Sequence, residues 1–200
     1  MDLKVANWIF DTFGSNDVLL KIASVLTYLG DEIIIISTIA LLLVFKKTRK
    51  IGFYAMVATL LSFLINHFGI KMIVARERPF TVNPEFLEAA NYLGRKVPTD
   101  YSMASGHSLS SMTLAVSIFM FNKKVGAGAI SLSIVCGITR MLLCVHYLTD
   151  VVAGFMIGAA FAIGIHYLLN FIIKKYLEKK GAKNENNSFS NRERTQTSRN

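Results

Sequence analysis

Between Val151 and Ile173 the chain runs for 23 residues without an Asp, Glu, Lys or Arg. As an α-helix this stretch would be about 34 Å long, more than the ~30 Å hydrocarbon core of a bilayer. In that core the backbone has no water to bond to, so a helix that satisfies its own N–H and C=O groups is what such a run dictates. Ile51–Ile70 is a second run, with Ser62, Asn66 and His67 among its more polar members, and Val125–Val145 is a third, containing Arg140. Ile33–Phe45 and Leu109–Phe121 are shorter and need polar neighbours to complete a crossing. Charged residues are only 18% of the chain, against about 25% in a soluble domain. These runs predict an all-α, polytopic membrane helix bundle of five to six transmembrane helices.

The remaining segments divide the chain into three parts: 1–30, a membrane domain at 31–173, and a tail at 174–200. The start, "MDLKVANWIFDTFGSND", lacks the basic region and uninterrupted apolar core of a cleavable signal peptide. Its Leu3, Val5, Ala6, Trp8, Ile9 and Phe13 suit an amphipathic helix lying at the membrane interface. Asp17–Gly30 carries Asp17 and Lys21 and reads as interfacial packing, or alternatively as a sixth crossing. The tail holds eight Lys/Arg and three Glu among many Asn and Ser, the composition of a disordered segment. It supplies much of the net charge of +9, so that charge is a membrane-topology or anionic-lipid signal and not a nucleic-acid footprint.

Basic clusters at 46–50, 123–124 and 174–175 alternate with the spans and can share one side. The positive-inside rule makes that side, with the tail, cytoplasmic. Segments 71–108 and 145–150 are then extracytoplasmic. Cys136 and Cys144 fall in one predicted helix, about 12 Å apart along its axis, beyond disulfide reach. They read as packing residues.

Unexpected polar residues gather at the outer ends of the spans. In "YSMASGHSLS", residues 101–110, Ser105 or Ser108 can cap a helix, but one cap leaves His107 unexplained. Lys71 and Arg78 are seven apart and would share a helical face, with Pro79 stopping that helix. Snorkelling to headgroups would account for those two alone. Arg140 lies within an apolar run, where a charge needs a partner or a wet cavity. His146 and Asp150 are four apart, placing a carboxylate where it can orient the imidazole. Arg140 joins them only if the chain bends between 140 and 146. Three cations, two histidines and one carboxylate suit phosphoryl transfer: cations and helix-start N–H groups bind phosphoryl oxygens, and Gly106 permits close backbone approach. Carboxylates are too sparse here for a metal cage, so no metal and no cofactor is expected.

In these blocks the chain resembles the type-2 phosphatidic acid phosphatase superfamily. Its K-x6-R-P pattern is matched by Lys71 and Arg78–Pro79, its P-S-G-H by Ala104–Ser105–Gly106–His107, and its S-R-x5-H-x3-D by Thr139–Arg140, His146 and Asp150. Two positions depart: Ala104 stands for the proline and Thr139 for the serine, which implies altered loop rigidity, not lost chemistry. The resemblance covers about residues 30–173 and implies a membrane helix bundle with its pocket near one face. It implies that His146 attacks phosphorus and carries a phosphohistidine, with Asp150 orienting it. His107 would protonate the leaving oxygen and then activate water. Lys71, Arg78, Arg140, Ser105 and Gly106 would bind the phosphate. The implied substrate is a membrane lipid phosphate or diphosphate, undecaprenyl diphosphate first, then phosphatidylglycerol phosphate or phosphatidic acid. Phosphotransfer to another lipid is the alternative within the superfamily, and an anion transporter the alternative outside it. Gly154 and Gly158 form a small-residue face for helix packing. Asn66, His67 and His166 read as interhelical hydrogen-bonders, and Arg76, Glu77, Arg95 and Lys96 as residues near the site that could tune headgroup choice.

Overall fold

A computed structural model describes the backbone of residues 1–94 and 97–197, with side chains at 1–94 and 97–181. Helices begin where short polar side chains can accept the first free N–H groups. α1 (Asp2–Phe13) is followed by α2 (Asp17–Leu26), capped by Asn16, which passes into a 3₁₀ turn at Thr27–Gly30. Asp31 caps α3 (Glu32–Val44) by accepting from the Ile33 N–H. α4 (Arg49–Ile65) continues through a single π turn, Asn66–Ile70, into α5 (Lys71–Val74). Two short helices, α6 (Pro79–Val82) and α7 (Phe86–Asn91), precede α8 (Gly106–Phe119), which Ser105 caps. α9 (Lys123–Leu142) is capped by Asn122, and α10 (Leu148–Thr197) ends the described chain.

The chain forms two units, 1–165 and 166–200. In the first, α8 is the central element: every side chain from Ser108 to Ser117 is buried, against α9, α4 and α3. α10 reaches it through glycines. A Cβ at Gly158 would lie 2.5 Å from the Leu109 carbonyl oxygen, and one at Gly154 2.8 Å from that of Ser105. The small-residue face therefore brings α10 onto the start of α8. Hydroxyl pairs bridge helices inside the bundle, Ser111 to Ser133 at 2.7 Å and Ser62 to Thr113 at 3.4 Å. Outward, α3 and α4 expose Ile33, Ile36, Leu41, Phe53 and Leu60, a surface that suits lipid and not water.

Among the described residues, three helical stretches are long and apolar enough to cross a membrane: Arg49–Val82, Lys123–Leu142 and Leu148–Gly181. Asp17–Gly30 and Glu32–Val44, bent by 44° where they join, add a fourth if they form one span. The central α8 has only 14 residues, about 21 Å of helix, and is enclosed by its neighbours. The protein is thus an all-α, polytopic membrane bundle. Asp17–Gly30 packs inward, with Leu20, Ala23 and Thr27 buried and α2 and its 3₁₀ turn against α9.

The second unit continues α10. Its described side chains are exposed from Phe171 to Gly181, and the backbone stays helical to Thr197. Lys174 and Glu178, one turn apart, lie 4.0 Å from each other.

Candidate active site

Lys71 and Arg78 do not share a helical face as their spacing suggests. α5 ends at Val74, Ala75 takes a left-handed conformation with φ 47°, and Arg78 is extended. Pro79 opens α6 at its first position, where a missing N–H costs nothing, instead of ending a helix. Both cations nevertheless converge on one carboxylate. Asp100 Oδ1 accepts from Arg78 Nη2 at 2.7 Å, and Oδ2 accepts from Lys71 Nζ. Backbone oxygens take the remaining donors: Arg78 Nε binds the Asp100 carbonyl at 2.8 Å, and Lys71 Nζ that of Tyr101 at 2.7 Å. Against a burial that opposes ionisation, the Lys71 hydrogen bond and the two positive charges hold the Asp100 carboxyl down at about 2.

The bend that Arg140 requires is present. α9 stops at Leu142, Cys144 takes φ 51°, and the Arg140 carbonyl accepts from the N–H groups of Val145 at 3.2 Å and His146 at 3.3 Å. His146 therefore lies in the turn before α10, not on its face. Arg140, 1% exposed, donates from Nη1 to Thr27 Oγ1 at 2.9 Å.

At His146 the two ring nitrogens differ. Arg78 Nη1 lies 3.2 Å from Nε2. A guanidinium has only donors, so Nε2 must be the lone-pair nitrogen and Nδ1 carries the proton. Nδ1 faces Asp150 Oδ2 at 3.6 Å and Ser102 Oγ at 3.4 Å. Burial first, then the charges of Arg78, Arg140 and Lys71, push this imidazole well below its usual range. It is neutral at physiological pH, with the unprotonated nitrogen beside Arg78. Asp150 is fully buried and held by the Ser102 hydroxyl, by the Tyr147 N–H at 2.9 Å and by Arg76 Nη1 at 2.8 Å. The Tyr147 bond is half of a capping box at the start of α10. One carboxylate thus both starts the helix and backs the histidine.

The third block sits across from this turn. The Asn66 amide brackets Ala104, donating to its carbonyl at 3.2 Å and accepting its N–H at 3.3 Å, while the Ser105 N–H donates to the Asp150 carbonyl at 3.0 Å. Ser105 itself is buried as the cap of α8, bound to Ser108, and does not line the pocket. Gly106 and His107 do line it, in the first turn of α8, where backbone N–H groups lack helical partners. A Cβ at Gly106 would meet nothing within 4 Å.

Lys71, Arg78, Asp100, Gly106, His107, Arg140 and His146 together line one pocket of about 200 Å³. The sequence blocks identified every one of these except Asp100. Its signal was available, since it is the single acid between Glu88 and Asp150. Thr27 and Ser102 carried no signal, being ordinary hydroxyls far along the chain from their partners. Of the four residues flagged near the site, Arg76 is part of it: it bonds Asp150, Thr149 and Asp2 and lies 3.9 Å over the Tyr147 ring. Arg95 and Lys96 lie outside the described residues. His67 stacks on Phe63 at the pocket wall.

Residues 51–174 match the family model of the PAP2 superfamily, the type-2 phosphatidic acid phosphatases. The chain belongs to the PAP2 superfamily. All three PAP2 signature blocks fall inside that match. An undecaprenyl-diphosphatase of Sulfolobus acidocaldarius is 35% identical over 132 residues, 65% of this chain and 61% of that protein; the chain thus spans about three-fifths of the curated relative's length. Two crystal structures share the fold. A PAP2-type phosphatidylglycerolphosphate phosphatase from Bacillus subtilis superposes with TM-score 0.65 at 20% identity, covering 86% of this chain and 85% of that one. LpxE from Aquifex aeolicus superposes with TM-score 0.67 at 19% identity, covering 83% and 94%. Where the PAP2 pattern has proline, Ala104 has the Asn66 bracket, which supplies rigidity that the ring would otherwise give. Where it has serine, the Thr139 hydroxyl bonds the Cys136 carbonyl within its own helix at 2.7 Å.

Proposed function

We propose that this protein is a membrane lipid phosphatase that hydrolyses a lipid phosphate or diphosphate through a phosphohistidine on His146. The observation that carries this reading is a pair of adjoining cavities. The cationic pocket shares Glu32, Phe63 and Ser110 with an apolar groove of about 430 Å³ between α3 and α4. The groove is walled by side chains such as Ile35, Ile39, Leu43, Met56 and Leu60. A phosphoryl group in the first and a hydrocarbon tail in the second is the arrangement that a lipid phosphate needs. Undecaprenyl diphosphate is the first candidate, because the curated relative carries that activity in its name.

In the proposed reaction His146 Nε2 forms a bond to phosphorus as the bond to the leaving oxygen breaks. His107 gives that oxygen its proton. Arg78 shifts its N–H from Nε2 to a phosphoryl oxygen, and Lys71 and Arg140 share the remaining charge. The positive charge that develops on the imidazole is stabilised from behind by Asp150 through Nδ1. Water, deprotonated by His107, then attacks phosphorus and releases His146. Three side-chain cations supply the electrostatic stabilisation, so the reaction is expected to need no divalent ion.

Phosphate release by the purified protein tests this reading. Lipid diphosphates and monophosphates should be cleaved in excess EDTA, and a soluble ester of similar leaving group should be cleaved far less well. Activity lost on chelation and restored by Mg²⁺ would contradict the metal-free site. Equal activity on soluble esters would contradict the role of the groove.

A further inference from the structure

Asp100 has no place in the reaction just described, yet it takes the best phosphate-binding donors of the pocket. Its carboxylate spans Lys71 Nζ and Arg78 Nη2 as the O–P–O edge of a phosphoryl group would. The two cations are buried, with side chains 7% and 5% exposed, whereas the Asp100 side chain is 43% exposed and lines the same pocket. Neither cation depends on this carboxylate for its position. Backbone carbonyls of Asp100 and Tyr101 hold Arg78 Nε and Lys71 Nζ, and Arg78 Nη1 is also held by the Val145 carbonyl at 2.9 Å. The carboxylate can therefore leave without dismantling the cationic seat. It cannot stay beside a bound phosphoryl group, because like charges a few ångströms apart in a partly buried site repel strongly.

We propose that Asp100 is an internal competitor for the phosphoryl seat, displaced from Lys71 and Arg78 by substrate and returning as inorganic phosphate leaves. It keeps two buried cations neutralised and lowers the affinity of the pocket for its own product, a specificity and release function carried by one side chain. This inference rests on the reading of the pocket as a phosphoryl site, and the two are tested separately.

Binding of inorganic phosphate and of orthovanadate to the detergent-solubilised full chain would be measured by calorimetry for wild type, Asp100→Asn and Asp100→Ala. Wild type should bind both anions, and both variants should bind them about tenfold more tightly, the scale of one charge-assisted hydrogen bond. Phosphate should also raise the melting temperature of the variants more than that of wild type, since a ligand stabilises in proportion to its affinity. If the variants unfold in buffer, phosphate should restore their folding. Anion binding by wild type with equal or weaker binding by the variants overturns the role of Asp100 and leaves the phosphoryl site standing. Variants that phosphate fails to refold overturn it too, since the carboxylate is then structural. No binding of either anion to wild type or to either variant overturns both readings.

Discussion

At residue 106 the protein has space where most helix starts have a side chain. A Cβ there would touch no other protein atom within 4 Å, yet Gly106 lines the cationic pocket beside His107. A methyl group would therefore leave packing intact and stand where a phosphoryl oxygen should meet the helix-start N–H groups. Gly106→Ala is expected to melt within about 1 °C of wild type, as surface-like substitutions do, but to raise KM for a lipid phosphate about tenfold. An unchanged KM would show that the start of α8 does not hold the phosphate. The residues that bear chemistry were legible in the sequence because a charge or an imidazole within an apolar chain is conspicuous. Their partners were less so. Thr27 meets Arg140 across 113 positions, and Ser102 meets Asp150 across 48. Nothing local distinguishes a hydroxyl that will have such a neighbour.

Among the elements, the α8–α10 contact sets the site. α10 carries Asp150 in its first turn, its Gly154 lies on the turn of α8 that begins at Ser105, and its Gly158 lies on the next turn, at Leu109 and Thr113. At Gly158 the obstacle to a Cβ is the Leu109 backbone oxygen, 2.5 Å away, which cannot rotate aside. Gly158→Ala should therefore force the helices apart and cost about 1–3 kcal/mol, read as a lowered melting temperature. Since the same contact sets the start of α10, with Asp150, against the start of α8, with Gly106 and His107, turnover should fall in the protein that remains folded. An unchanged melting temperature would contradict this close approach. The small-residue spacing made the contact readable beforehand. The break at Ala75 was not readable, because nothing in "KMIVARERPF" announces a left-handed alanine, and a seven-residue spacing looks helical. The count of spans is blurred for a related reason: a helix as short as α8 can be buried by its neighbours without being long enough to cross by itself.

For the whole molecule, the distribution of charge implies an orientation. The basic cluster at 46–50 lies at the start of the helical run α4–α5 that carries Lys71 near its far end, and the cluster at 123–124 opens α9, whose last turn carries Arg140, so we propose that the pocket opens on the extracytoplasmic side. Exposed positions Asn91 and Lys124 report the two sides. A cysteine at Asn91 should react with an impermeant thiol reagent in intact cells, and one at Lys124 only after permeabilisation; the native Cys136 and Cys144 are buried. The reverse pattern would place the substrate in the inner leaflet. The proposed chemistry rests on the unprotonated Nε2 of the buried, neutral His146. Rapid-quench mixing with a lipid diphosphate labelled on its terminal phosphate tests it most directly. Wild type should transiently carry label in an acid-labile, base-stable linkage that maps to His146, and His146→Ala should carry none and release no phosphate. With a labelled lipid monophosphate, whose alkoxide is the poorer leaving group, His107→Ala should form that linkage about 10²–10⁴-fold more slowly, and hydrolyse it slowly as well. Turnover by wild type with no labelled protein at any time, or phosphate release by His146→Ala, would rule out a phosphohistidine on His146.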